Sequence, residues 1–437
     1  MSEPLRVGVA GLGTVGASLV RRLLGAGDLL AIRAGRPLVL AAVSARSRSR
    51  DRGADLSGIA WFDDPVALAR SGEVDVVVEL MGGEDGPARA TVEAALTSGK
   101  SVVTANKALL ARHGMSLAAL AETHGRALGF EASVAGGIPV VKTLREAMAG
   151  NRLARVYGIL NGTCNYILTR MEQEKLSFDA CLAEAQRLGY AEADPTFDIG
   201  GFDTAHKLAI LTSLAFGTAM DAEAVYVEGI ASLTLLDLAM ADELGYRIKL
   251  LGVATRTEAG IEQRVHPTMV PKSSAIAQVM GVTNAVALDG DMVGEITLVG
   301  PGAGGDATAS AVLGDLVDIA RGIRIAPFGT AAAALADPLR APMTTHEGGY
   351  YIRLDVRDRP GAAAAIATRM AEAGISLESI LQRGGPRPAA DAAERAVPVV
   401  LITHATTEAA VRSALDAVGA DGHVVGAPQM IRIEREQ

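Results

Sequence analysis

Between residues 189 and 207 the chain reads GYAEADPTFDIGGFDTAHK, which sets Glu192, Asp194, Asp198 and Asp203 ahead of a single Lys207. Three kinds of chemistry fit such a set: a divalent-cation cage, an acid/base site, or a polar loop that caps a helix. The intervals between the carboxylates do not match a helix–loop–helix calcium site, and a nearby ammonium competes with a cation. Asp203 and Lys207 are four residues apart, which on a helix starting near Asp203 puts both side chains on one face. An exposed salt bridge has the same spacing. The residues that follow, LAILTSLAF, are almost wholly apolar, so this helix is expected to be buried. A lysine on its first turn then faces a cleft, where it can donate and accept a proton. Zinc is poorly supported, because neither Cys164 nor Cys181 sits in a C-x-x-C pattern and the histidines do not pair at ligand spacing.

Two more residues carry chemical options. Lys107, in VVTANKALL, follows a strand-like run, and the carboxyl ends of strands form the ligand crevice in open α/β sheets; a surface lysine is the alternative. Cys164, in NGTCNY, lies near a helix start, where a thiolate is favoured. It fits the acylating nucleophile of a semialdehyde dehydrogenase, or a small buried side chain.

The segment GLGTVG, from Gly11 through Leu12, Gly13, Thr14 and Val15 to Gly16, follows the apolar run RVGVA and opens a helical pattern. In that context the glycines allow a tight turn, close approach of a pyrophosphate, and packing of helix on strand. The phosphates then sit on free N–H groups at the positive helix end. A glycine-rich turn with no ligand is the plainer alternative. The next strand-like run, PLVLAAVSARSRSR, ends without the acidic residue that binds the ribose hydroxyl of NAD. It offers Ser44, Arg46 and Arg48 instead, and a guanidinium there suits a 2′-phosphate. NADP(H) is therefore favoured, with NAD(H) as the alternative; a solvated basic loop is the other account of these arginines.

The elements that must position these groups follow from the periodicity. Short β-rich runs alternate with helical patterns through the first part of the chain, which means βαβ units and a parallel sheet. The texture changes near residue 140: PVVKTLREAMAG reads as a helix ended by Gly150, and mixed helices and strands follow. PGAGGDATASAVLGDLVDIARG, 301–322, reads as a glycine-rich turn and a long helix that returns to the first domain. FGTAAAALADPLRAP resembles a linker, and beyond it the order is βαββαβ, a ferredoxin-like unit. The expected class is α/β: a Rossmann-type nucleotide-binding domain over 1–140, completed by about 305–340; an α+β substrate and dimerisation domain over 141–304; and a C-terminal unit over 349–437.

The 437 residues carry a formal net charge of −9, which argues against sequence-independent binding to nucleic acid. No apolar run approaches a membrane span, and the first residues lack the pattern of a signal peptide. Two cysteines cannot form a disulfide framework, so a cytoplasmic setting is the simplest expectation.

Taken together, GLGTVG, TANKALL, FEASVAGGIPV, LNGTCNYIL, LGYAEADPTFDIGGFDTAHKLAIL and GPGAGGDATASAV closely resemble homoserine dehydrogenases, from the N-terminus to about residue 340. VRDRPGAAAAIATRMAEAGISLESI resembles an ACT domain, a small-molecule-binding regulatory module. The resemblance implies reversible interconversion of L-homoserine and L-aspartate 4-semialdehyde with NAD(P), a step toward threonine and methionine. It implies Lys207 as proton donor and acceptor, Lys107 lining the cofactor and substrate site, and Glu192 on the substrate ammonium. Asp203 is implied to contact substrate, and Gly189 and Gly304 to approach the cofactor. Asp194 and Asp198 are expected either to position the lysine and substrate, with Asp198 among the substrate-binding residues, or to shape the loop. A monovalent cation, usually sodium, is implied at Glu131, Val134, Gly136 and Ile138; carbonyl-rich ligation suits a hard cation. The ACT-like unit is expected to bind an amino acid, most plausibly threonine, or else to serve only oligomerisation, with a homodimer or homotetramer as the assembly. Two other functions fit parts of the pattern: a cysteine-dependent semialdehyde dehydrogenase acting through Cys164, and a non-catalytic nucleotide and amino-acid sensor.

Overall fold

Short valine-rich runs build the first sheet of the computed structural model, which describes residues 3–382 and 396–434. Its strands are β1 (Leu5–Ala10), β2 (Leu38–Ser44), β3 (Ala60–Phe62), β4 (Val76–Glu79), β5 (Ser101–Thr104) and β6 (Leu128–Gly129). They pair in parallel in the order β3-β2-β1-β4-β5-β6. Val76, Val77 and Val78 are all fully buried, as a strand covered on both faces requires. The cover includes α1 (Thr14–Gly25), α2 (Gly27–Ala34), α3 (Pro65–Arg70), α4 (Pro87–Thr97) and α5 (Lys107–Thr123). The strand order reverses between β1 and β4, and the ligand crevice of such a sheet opens at their carboxyl ends.

The middle of the chain supplies α6 (Val140–Lys142), β7 (Leu153–Ile159), α7 (Gly162–Glu174), α8 (Phe178–Arg187), α9 (Thr196–Ile199) and α10 (Phe202–Phe216). It continues through β8 (Tyr226–Val227), α11 (Leu235–Glu243), β9 (Tyr246–Thr257), β10 (Gly260–Pro271), β11 (Thr283–Gly290), β12 (Gly294–Pro301) and α12 (Gly305–Ala320). The regular helix expected up to Gly150 is not formed. After α6 the turn widens to π geometry over Thr143–Ala147, and Met148 N donates to the Thr143 carbonyl at 2.8 Å. Helix α10 is buried along Leu208, Ala209, Ile210 and Leu211. Its N-cap is Gly201 rather than Asp203; Asp203 sits inside the first turn. Helix α12 packs on α1, with Val312 and Leu316 in one apolar cluster with Leu19 and Val20.

The last unit is β13 (Glu347–Arg357), α13 (Ala362–Glu372), β14 (Leu377–Gln382), β15 (Ala396–Thr403), β16 (Thr406–Thr407), α14 (Glu408–Ala420) and β17 (Val424–Ile433). The order β17-β13-β15-β14 gives the expected βαββαβ sheet. Residues 383–395 and 435–437 of the expected 349–437 unit lie outside the described residues. The unit is not a separate bead. β17 pairs with β10 at Thr268↔Arg432 and Met269↔Ile433, so its sheet continues the middle one. Buried Arg432 binds Glu408 of α14 at 2.8 Å and Glu228 of the middle module at 2.8 Å. Arg353 and Tyr351 of β13 bind Asp237, at 2.8 and 2.9 Å, on the first turn of α11. The linker-like segment is pinned in the same way: Ala219 N donates to Ala336, and Arg340 pairs with Asp221 through bonds of 2.6 and 2.8 Å. Among the described residues no helix is long and apolar enough to cross a membrane.

Candidate active site

The glycine-rich turn meets the demands of an anion site. Gly11 has φ +104°, and a Cβ there would lie 2.5 Å from the Leu80 carbonyl oxygen, at the end of β4. A Cβ on Gly16 would collide with the Gly11 carbonyl, while one on Gly13 would meet open space. The N-cap Gly13 makes no side-chain cap, so the first N–H groups of α1 stay free for an anion. The start of α12 abuts this turn: a Cβ on Gly305 would press on Ser18 and Thr14. Gly304, with φ +114°, is its N-cap. A cavity of about 320 Å³ runs from this turn to Lys107 and Lys207, lined also by Val15, Met81, Gly136 and Gly302 among others. Leu12, Gly13 and Thr14 stand on the same turn as Val15.

Lys107 reaches the cavity because buried groups fix the strand ends before it. Glu79, at the end of β4, accepts Met81 N at 2.7 Å and the Thr104 hydroxyl at 2.7 Å. Thr104 Oγ1 accepts Asn106 N, and Asn106 caps α5 by accepting Leu109 N at 3.1 Å. Lys107 is the first residue of that helix.

Asp203 lies where the two lysines meet. Its Oδ1 is 3.0 Å from Lys107 Nζ, and its Oδ2 accepts from Lys207 Nζ at 2.7 Å and Asn161 Nδ2 at 2.9 Å. Lys207 Nζ also donates to the Leu160 carbonyl at 2.6 Å. Burial alone would raise the Asp203 carboxyl. The two ammonium groups, with hydrogen bonds from Lys207 and Asn161, outweigh it and hold the carboxyl well below the usual range. Asp198 accepts the other Asn161 amide hydrogen at 2.8 Å. Burial and the neighbouring Asp203 push it upward, against the Asn161 bond.

Other expected residues lie elsewhere. Glu192 and Gly189 are on the exposed stretch between α8 and α9, and neither lines the cavity. Thr163 Oγ1 holds that stretch by donating to the Tyr190 carbonyl at 2.6 Å. Arg46 is exposed just past the end of β2, and Arg48 stacks over Trp61. Cys164 is fully buried and donates through Sγ to the Asp198 carbonyl at 3.2 Å. Burial, reinforced by Asp198 and Asp203, pushes its thiol far up, and Cys164 does not line the cavity, as suits a packed side chain. Sequence reasoning did not assign Asn161, the Leu160 carbonyl or Glu79 to the site. Only the cap position of Asn161, at the end of a strand, signalled anything.

Glu131 is buried, and its two oxygens accept Val141 N at 2.9 Å and Lys142 N at 2.8 Å. Burial and nearby Asp315 push its carboxyl up to about 7. Ala135 and Gly136 both have positive φ, and a Cβ on Gly136 would lie 2.5 Å from the Gly302 oxygen. The Ile138 carbonyl accepts Val140 N, whereas the carbonyls of buried Val134 and Gly136 accept no hydrogen bond among the described residues. Uncapped carbonyls beside a buried carboxylate suit a hard monovalent cation. The described residues hold no cluster of three or more acidic, His or Cys side chains suited to a metal ion.

Known proteins match nearly the whole chain. A family model for homoserine dehydrogenase matches residues 139–317, one for the homoserine dehydrogenase NAD-binding domain matches 11–131, and one for the ACT domain matches 350–420. Homoserine dehydrogenase of Pseudomonas aeruginosa is 45% identical over 99% of both chains, and that of Neisseria gonorrhoeae 43% over 99% of both. The crystal structure of a homoserine dehydrogenase from Thiobacillus denitrificans matches with a TM-score of 0.92 at 43% identity, over 99% of this chain and 98% of that one. A hyperthermophilic archaeal homoserine dehydrogenase in complex with NADPH matches 72% of this chain and 97% of its own, at 26% identity and a TM-score of 0.62. With family models, full-length relatives and a solved structure all in agreement, the chain belongs to the homoserine dehydrogenase family.

Proposed function

We propose that Lys207 carries the proton in the reversible oxidation of L-homoserine to L-aspartate 4-semialdehyde. The observation behind this is its donor count. An ammonium has three hydrogens; Leu160 and Asp203 take two, which leaves one for a substrate oxygen at the cavity. Protonated Lys207 gives its proton to the aldehyde oxygen, and neutral Lys207 takes the hydroxyl proton of the alcohol. A nicotinamide cofactor, when bound, supplies or accepts the hydride. The turn Gly11–Gly16, with Gly304 beside it, would hold the pyrophosphate. Asp203 holds both lysines in place through its two carboxylate oxygens, with Lys107 beside Lys207 at the cavity. Glu192 and Asp198 receive the substrate ammonium, with Glu192 and Gly189 brought in by the stretch between α8 and α9. The assay is NAD(P)H oxidation driven by aspartate semialdehyde in the absence of phosphate. Turnover only with phosphate would overturn the proposal.

NADP(H) is the proposed cofactor, supported by the absence of an acid at the end of β2 and by Arg46 just beyond it. Arg46→Ala should raise KM for NADP⁺ about tenfold, as loss of one charge-assisted phosphate contact does, and leave KM for NAD⁺ unchanged. Equal effects on both cofactors would move the phosphate site elsewhere.

Sodium is the proposed cation, held by Glu131 and the carbonyls of Val134, Gly136 and Ile138. NaCl should then raise both Tm and activity above choline chloride at equal ionic strength. Glu131→Gln should remove that difference. A retained sodium effect in this variant would place the cation at another site. Threonine binding to the ACT module, pairing of subunits as a homodimer or homotetramer, and a cytoplasmic setting complete the proposal.

A further inference from the structure

Asn161 uses both amide hydrogens and its side-chain oxygen. Its Oδ1 accepts Cys164 N at 2.8 Å and so caps α7. Its two amide hydrogens go to different carboxylates, Asp198 on α9 and Asp203 on α10. It is 5% exposed, so these bonds have little competition from water. The residue before it, Leu160, offers its carbonyl to Lys207. Two consecutive residues at the end of β7 therefore grip both members of the Asp203–Lys207 pair, one by a side-chain amide and the other by a carbonyl. Without the amide, Asp203 Oδ2 is fixed only by a flexible lysine, and Asp198 and Asp203 face each other with nothing between them.

We propose that Asn161 is a positioning residue for proton transfer. Its amide aims the Asp203 carboxylate at Lys207 and separates that carboxylate from Asp198. This rests on the proposal that Lys207 carries the proton. The charged and titratable groups around the amide are Lys107 from α5, Cys164 from α7, Asp198 from α9, and Asp203, His206 and Lys207 from α10. Of these, His206 is half-buried with its Nδ1 unpartnered, and burial together with Lys107 lowers it against the pull of Asp203.

Two substitutions separate positioning from folding. Asn161→Asp keeps an oxygen that caps a helix well. It replaces the amide by a third carboxylate, and the added negative charge favours the protonated form of Lys207. Homoserine oxidation needs the neutral amine, so its half-maximal pH should move upward by about 1 unit. Asn161→Ser also keeps a capping oxygen, adds no charge and cannot reach both carboxylates. Its kcat should fall about tenfold with KM for the cofactor unchanged. Both are read by kcat–pH profiles in the homoserine direction, alongside Tm of the full-length protein. A purely structural Asn161 predicts lower Tm or less active enzyme, with the wild-type pH profile in whatever folds. If Asn161→Asp and Asn161→Ser both titrate and turn over as wild type does, the positioning role is wrong. If Lys207→Met retains full activity, the proposal for Lys207 fails first, independently of either Asn161 variant.

Discussion

In Lys207→Met, turnover falls by about 10²–10⁴-fold in both directions, the usual contribution of a placed general acid–base. Methionine keeps most of the stem volume on a side chain only 12% exposed, so the buried helix still packs. What is lost is a movable proton. The Leu160 carbonyl loses its donor, but Asp203 keeps Lys107 and Asn161. The nucleotide turn at Gly11–Gly16 makes no hydrogen bond to Lys207, so KM for the cofactor should stay within about twofold. A second signature follows from the two protonation states. Wild-type oxidation of homoserine should rise with pH as the neutral amine forms, and reduction of the semialdehyde should fall. In the methionine variant both limbs flatten, because the titrating group is gone. Steady-state kinetics in both directions across the pH range, with fluorescence titration of NADPH, test both points. Normal turnover in Lys207→Met would overturn the assignment.

The parts of the fold that sequence made legible are those written in local periodicity and turn chemistry. GLGTVG between an apolar run and a helix can scarcely be anything but a strand–turn–helix. The apolar face after Lys207 marks a buried helix by itself, and α10 is buried along Leu208–Leu211. The cap of α10 lies two residues before Asp203, because Gly201 in a left-handed conformation ends the preceding turn and no side-chain cap is made. The π turn after α6 was not legible, since nothing in the local pattern distinguishes a Met148 N–H bonded to Thr143 from one bonded a residue later, as in a regular helix. Nor was the fusion of the C-terminal sheet to the middle one. That junction rests on Arg432 reaching Glu228 and on two residue pairs between β10 and β17, distances in sequence that no local pattern encodes. In the site the asymmetry is the same. Asp203 and Lys207 share a helix and were found by spacing. Lys107 and Asn161 come from other elements, and only the fold brings them to the same carboxylate.

Asp203→Asn should be nearly as damaging as loss of the lysine, for an electrostatic reason that shows in a different pH signature. The carboxylate is 5% exposed and holds two ammonium groups. Asparagine preserves the shape and one accepting oxygen but removes the negative charge. Lys207 then sits beside Lys107 with no counter-ion between them, which favours its neutral form. Oxidation of homoserine should become half-maximal at lower pH than in wild type, opposite in sign to Asn161→Asp. Reduction of the semialdehyde, which needs the proton, should lose about 10²-fold in kcat near neutral pH. Stability follows the same charge. The folded carboxyl is held below its unfolded value of about 3.9, so its ion pairs contribute fully above that pH and are lost as pH falls through the folded value. The wild type should therefore be more stable than Asp203→Asn by about 2–3 kcal/mol at neutral pH, the scale of hydrogen bonds to charged groups. The gap should close in strong acid. Urea unfolding at neutral pH and at pH below about 3 measures it. A gap that stays constant with pH would mean that Asp203 acts through its shape alone, and the shared-carboxylate account of Lys107 and Lys207 would fall with it.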